Sequence, residues 1–206
     1  MRALQITMNE FKPLPREFYV PSAKVVAPKL LGHWLLRRTE AGLCGGPIVE
    51  TEAYIRGDAA CHGAPGLTPR NRVMFGEPGY AYVYFIYGNH YCMNTVCCPK
   101  GVAEAVLIRA LEPEFGREVM ERNRKARSAQ ELTNGPGKLC QAMGIERDLD
   151  GADLCDGKSV LFVAENSQVR EFRRKRGPMV TGKRIGLTKA ADLLLRFYLD
   201  GSTSVS

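Results

Sequence analysis

The stretch GYAYVYFIYGNHYCMNTV, residues 79–96, constrains the fold more than any other part of the chain. Strand-forming residues alternate with period two, a turn signal follows at Gly88 and Asn89, and a second strand-like run returns. That pattern makes an antiparallel hairpin, and a lone hairpin is marginal in water, so further strands must cover its apolar face. The candidates are HWLLRR, GGPIVETEAYI, EAVLIRAL, KSVLFVAE and LLLRFYLD. Helical patterns fall between them. AKVVAPKLL is capped by Ser22 and ended by Gly32, EPEFGREVMERNRKARS is acidic at its start and basic at its end, and NGPGKLCQAMGI puts Lys138 in a first turn. With no repeat or linker, residues 1–206 read as one α/β (α+β) domain built on a mainly antiparallel sheet, with residues 1–14 a flexible tail. The segment from Gly57 to Glu77 reads as a long surface loop, and Arg170 to Arg184 as a basic loop or hairpin.

Charge narrows the partner. The 206 residues carry a net +7, with a pI near 9.1, which favours an anionic ligand. No apolar run reaches membrane-spanning length, and the N-terminus lacks the pattern of a secretory signal, so a cytoplasmic protein is expected. The seven cysteines contain no C-x-x-C pair, which favours reduced thiols over disulfides and makes a metal site improbable.

Several residues invite chemistry. In VETEAY, Glu50, Glu52 and Tyr54 share one strand face, which is either a solvent-exposed edge or the wall of a site. Arg109 lies within the apolar VLIRAL, and a buried guanidinium needs a carboxylate such as Glu52. A carboxylate among tyrosines and an arginine can polarise a water for hydrolysis. Tyr80, Tyr82 and Tyr84 form an aromatic ladder, while Tyr87 sits at a hairpin tip where burial does not explain it. Flat aromatics stack on bases or prop open a kinked duplex, so nucleic acid leads the anionic candidates. Arg70, Arg72 and Lys138 are candidate phosphate contacts, and Arg170, Arg173, Arg174, Lys175 and Arg176 offer nonspecific attraction. A binding module without catalysis and a nucleoside hydrolase are the rival classes. The joint presence of Glu52, Arg109 and Asn94 counts against the first, and the lack of acidic metal-binding clusters against the second.

VETEAY, TPRNRVMF, YAYVYFIYGNHYCMN, VLIRALEP, NGPGKLCQA, RIG and RFY, in this order from about Phe18 to Val205, resemble the alkyladenine (3-methyladenine) DNA glycosylase family. The resemblance implies a monofunctional, monomeric, prokaryotic enzyme of base excision repair that needs no metal or cofactor. It implies binding to the minor groove of double-stranded DNA and extrusion of damaged purines: 3-methyladenine, 7-methylguanine, hypoxanthine or ethenoadenine. Carried over by position, Glu52 activates the water, and Arg109 with the Ile185 backbone carbonyl holds it. Tyr54, His62 and Tyr84 enclose the base, Asn94 excludes guanine's 2-amino group, and Tyr87 on a protruding hairpin fills the gap in the duplex. On this reading Glu50 is structural.

Overall fold

The computed structural model describes residues 11–206. Among these, eight strands alternate with four α-helices: α1 (Ala23–Leu30), β1 (Trp34–Thr39), β2 (Gly42–Tyr54), β3 (Ala81–Ile86), β4 (His90–Cys97), β5 (Glu104–Leu111), α2 (Arg117–Asn123), α3 (Pro136–Met143), β6 (Leu161–Ala164), α4 (Val169–Lys175), β7 (Met179–Gly182) and β8 (Arg196–Leu199). The sheet is antiparallel throughout, in the order β3-β4-β5-β2-β1-β6, with β8 joining β2 and β7. The α+β expectation holds.

The 13-residue β2 is the axis of this arrangement. Its first half pairs with β1. A bulge around Glu50 shifts the register, after which the strand lies between β5 and β8. A bulge bends a strand and re-aims its side chains. Beyond it, Thr51 donates to the Ala27 carbonyl of α1 and Ala53 enters the main core, leaving Glu50, Glu52 and Tyr54 for the opposite face. β2 is therefore not an exposed edge. Ala23, Val26, Ala27 and Leu30 of α1, with Leu139, Cys140, Ala142 and Met143 of α3, fill the core against this sheet. Each large apolar side chain buried there contributes about 1.5–3 kcal/mol.

Several expectations need correction. Ser22 stands at the N-cap of α1, but its hydroxyl donates to Glu104, and Glu104 Oε2 accepts the Ala23 N–H at 2.9 Å. A carboxylate from β5 thus replaces the local cap. The helix expected over residues 112–128 shrinks to α2, because Glu112 still pairs with Pro47 and Gly116 takes a left-handed φ of 62° against the Leu43 carbonyl. Of the stretch 170–184, expected as a loop or hairpin, residues 170–175 lie in helix α4 with Arg176 at its C-cap, and Met179–Gly182 form β7, paired with β8. Of the tail, residues 1–10 lie outside the described part. Residues 11–14 are packed: Leu14 is buried, its N–H bonds to Val163, and Phe11 meets Trp34 and Phe115 edge-on.

The 57–77 loop is ordered by Asn71. Its Nδ2 donates to the carbonyls of His62 and Gly66 at 2.7 and 2.9 Å, and its Oδ1 accepts from Thr68 at 2.7 Å. This presents His62 to the sheet. No described helix is long and apolar enough to cross a membrane.

Candidate active site

A cavity of about 260 Å³ opens beside the β3–β4 hairpin. Tyr54, Tyr82 and Tyr84 wall it, His62 closes one side, Asn94 and Arg109 lie within it, and Tyr87, Pro136 and Ile185 form part of its rim. Period-two geometry explains the walls, since Tyr82 and Tyr84 project from the same face of β3 and stack at 5.2 Å with 29° between planes. Asn94 is opposite Tyr82 on β4, and Leu107 is opposite Asn94 on β5. The sheet register thus gathers side chains distant in sequence. Tyr80 leaves the expected ladder. It bridges to Asp153 and lies under Arg16, 4.9 Å from the guanidinium.

Glu52 is fully buried behind Tyr54, Arg109 and Ile185. Its Oε1 meets Arg109 Nη1 at 3.1 Å and accepts the Ile185 N–H at 2.8 Å, while its Oε2 accepts the Tyr54 hydroxyl at 2.9 Å. An ionised carboxylate has about four acceptor positions. Hydrogen bonds occupy one on each oxygen, from the Ile185 N–H and the Tyr54 hydroxyl, and Arg109 faces Oε1 as an ion-pair partner.

Glu50 is equally buried but differently employed. Its Oε1 accepts from Arg109 Nε at 3.1 Å and Arg196 Nε at 2.5 Å, and its Oε2 from the Ser206 N–H at 2.8 Å. Two carboxylates and two guanidiniums therefore balance in charge at the centre of the sheet. Arg109 joins the two carboxylates through separate nitrogens, Nε to Glu50 and Nη1 to Glu52. Removing one member of such a buried group leaves an uncompensated charge and costs about 3–5 kcal/mol.

Burial, reinforced by Glu52, raises the Tyr54 phenol well above its ordinary value, so it remains a donor at neutral pH. Burial pushes the Tyr82 phenol up to about 12. Burial and then Arg70 lower the His62 pKa, favouring a neutral imidazole whose Nδ1 lies 3.0 Å from Tyr82 Oη. Asn94 is buried, with Nδ2 3.4 Å from the Tyr82 carbonyl. The Cys92 thiol at the cavity wall is held up to about 11 by burial and is a poor nucleophile at pH 7.

Tyr87 stands at the hairpin tip, 78 % exposed, with φ of 54° beside Gly88 at 73°. These left-handed residues turn the chain through a three-residue loop, Tyr87 to Asn89, between the paired Ile86 and His90. Arg70 braces this hairpin, with Nη2 3.1 Å from the Phe85 carbonyl. Arg70 and Arg72 are exposed, whereas Lys138 is half-buried and 2.8 Å from Asn134 Oδ1. The basic cluster is not simply a solvated run. Arg173 grips the Leu31 and Lys29 carbonyls at 2.7 Å each, and Arg176 grips Glu112 with two nitrogens. Arg170, Arg174 and Lys175 remain toward solvent, with Lys175 paired to Glu171.

The methylpurine-DNA glycosylase family model matches residues 17–203. The chain belongs to that family. It is accordingly a DNA glycosylase, a hydrolase of the N-glycosidic bond. Relatives of the same length agree. Proteins named "Putative 3-methyladenine DNA glycosylase" from Koribacter versatilis, Carboxydothermus hydrogenoformans and Methanoculleus marisnigri are 45%, 47% and 49% identical, covering 97%, 94% and 94% of this chain and 96%, 98% and 98% of their own.

The cavity brings together Tyr54, His62, Tyr84, Asn94, Arg109, Ile185 and Tyr87, with Glu52 directly behind. Arg70 lies at the hairpin, while Arg72 and Lys138 are outside the lining. Sequence reasoning missed Asp58, Arg184 and Arg196. Arg196, set among leucines in LLLRFYLD, carries the same signal that singled out Arg109. Asp58 and Arg184 are so far apart in sequence that only the fold reveals them as a pair.

Proposed function

We propose that this glycosylase binds the minor groove of damaged duplex DNA as a monomer, extrudes a modified purine into the tyrosine-walled cavity and hydrolyses its N-glycosidic bond with a water activated by Glu52. The observation that carries this reading is a fully buried carboxylate, paired with Arg109 and hydrogen-bonded to the Ile185 N–H and the Tyr54 hydroxyl, directly behind an aromatic cavity whose lining includes all three of those residues. At about 260 Å³ the cavity is just below the roughly 300–1,000 Å³ of drug-sized sites, a size suited to one base.

Each part has a physical task. Extrusion costs a few kcal/mol, least at damaged or weakly paired bases, and a wedge such as Tyr87 offsets some of it. Tyr54, Tyr84 and His62 receive the purine. A cationic alkylpurine gains further from π-rich walls. Asn94 crowds the 2-amino group of normal guanine.

In the reaction the C1′–N9 bond breaks with its electron pair going to the base. The water oxygen bonds to C1′, and Glu52 Oε2 takes the water's proton. Arg109 and the Ile185 backbone hold carboxylate and water in place. Positive charge developing on the sugar faces the Glu52 carboxylate. The product is an abasic site in an uncut strand. We place the enzyme in a prokaryotic cytoplasm, acting on 3-methyladenine, 7-methylguanine, hypoxanthine and ethenoadenine. No cofactor or metal takes part in this scheme.

The test is incubation with duplexes bearing each lesion, followed by alkali to reveal abasic sites. Alkali-dependent cleavage at the lesion is expected. Strand breaks without alkali, or no cleavage of any lesion, would overturn the scheme.

A further inference from the structure

Against the Tyr54 ring, apart from the pairings of Glu50 and Glu52, Asp58 and Arg184 form an ion pair whose side chains are both completely buried. Asp58 follows β2 and opens the loop that carries His62, and its Oδ1 also accepts the Ala60 N–H at 2.9 Å. Arg184 precedes Ile185 on the loop lining the opposite side of the cavity. Its Nη1 reaches Asp58 and the Ala53 carbonyl (2.9 Å), its Nη2 reaches Asp58 (3.0 Å) and the Ala190 carbonyl (3.4 Å). The guanidinium lies over the Tyr54 ring, 4.6 Å from its centroid.

As a stabilising device this is a poor choice. Buried ion pairs are often matched or bettered by apolar groups of similar volume. Here Arg184 Nε is also buried without a hydrogen-bond partner, and an unsatisfied donor costs about 1–3 kcal/mol. What the pair does supply is geometry. It ties together the end of β2, the His62 loop and the Ile185 loop, and it backs the Tyr54 ring. The residue after Arg184 is the one whose N–H holds Glu52 Oε1 at 2.8 Å.

We propose that the Asp58–Arg184 pair is a positioning clamp, seating the Tyr54 wall and the Ile185 amide together so that base stacking and the catalytic carboxylate are aligned in one step. The inference rests on the assignment of Glu52 and Tyr54 to the reaction. Arg184 touches neither base nor water and acts through its neighbours. A displacement of about 1 Å in such a support costs about 10²-fold in rate.

The test compares the parent with Arg184→Met, Arg184→Lys, the double apolar variant Asp58→Leu/Arg184→Met, and Glu52→Gln. Unfolding in urea, affinity for a lesion duplex and single-turnover hypoxanthine release are measured for each. Arg184→Met leaves Asp58 buried and unpaired, so it loses stability, and the double variant recovers much of it. Despite that recovery, the double variant should excise about 10²-fold more slowly while binding lesion duplex within a few-fold of the parent. Arg184→Lys keeps a charge for Asp58 but not the planar fork, and should fall between. A folded double variant excising at the parental rate would overturn the clamp. If the double variant fails to fold, a parental rate in Arg184→Lys does so instead. Loss of activity in Glu52→Gln, together with a parental rate in the clamp variants, would remove only this inference. A parental rate in Glu52→Gln would remove the site assignment beneath it.

Discussion

Individual side chains do separable jobs around one carboxylate. Asn94, buried at the cavity floor, is held only by a 3.4 Å contact to Tyr82, so shortening it opens space more than it disturbs the fold. Asn94→Ser should therefore release undamaged guanine from duplex DNA above the parental background. Unchanged guanine release with hypoxanthine activity retained would remove Asn94 as the gate. Tyr87 is 78 % exposed at the hairpin tip, so Tyr87→Ser should leave thermal stability within about 0.5 kcal/mol of the parent. It should instead lower the flipped fraction, read from ethenoadenine fluorescence. Equal flipping would assign Tyr87 another task. Glu50 is the contrasting case. It shares one strand face with Glu52 and is expected to be structural, and its partners are two guanidiniums and the Ser206 N–H, whereas Glu52 is held by the cavity-lining Tyr54 and Ile185. Glu50→Gln should cost several kcal/mol in urea unfolding and comparatively little in excision. A stable but inactive Glu50→Gln would exchange the two roles.

At the scale of elements, the strands were more legible than the helices because period two records directly which face is buried, as in YAYVYF. The helices were misjudged where tertiary contacts override local signals. α2 starts late because Glu112 is still bonded to β2, and Ser22 yields its capping task to Glu104. The basic run hid a helix because Arg173 and Arg176 spend their charge inside the protein, on carbonyls and on Glu112. A similar long-range contact joins the turn before β1 to the segment after β6. His33 Nδ1 accepts the Asn166 N–H at 3.2 Å, and burial pushes the imidazole down to about 4. The unfolded chain takes up that proton near 6.5, so the contact's stability is whole above about pH 6.5 and is lost as the pH falls towards 4. His33→Asn supplies an acceptor that does not titrate. The stability lost between pH 7.5 and 5 should be smaller in this variant than in the parent by about 1–2 kcal/mol. Equal losses would show that His33 is not the titrating contact.

Across the whole molecule, strand phase made the α+β class legible, and the resemblance of the ordered motifs supplied most of the residues that meet in the cavity. Neither revealed the supports, because pairs such as Asp58–Arg184 and Glu50–Arg196 join residues more than 100 positions apart. The net charge of +7 is likewise a property of the whole chain, but the fold restricts which cations are free to meet phosphate. Lys138→Ala should shallow the slope of log affinity against log salt by about one, whereas Arg173→Ala should leave the slope unchanged and lower stability. A slope altered by Arg173→Ala would return that residue to the DNA interface. The central claim is that the buried Glu52 activates the attacking water. Such a base contributes about 10²–10⁴-fold in rate, and Glu52→Gln retains shape while removing the ability to take the proton. The most direct measurement is single-turnover release of hypoxanthine and of 7-methylguanine by Glu52→Gln, with lesion-DNA affinity measured alongside. The account predicts near-normal binding, loss of most hypoxanthine excision, and a smaller loss for 7-methylguanine, whose cationic base leaves with less help. Hypoxanthine excision at the parental rate would contradict it.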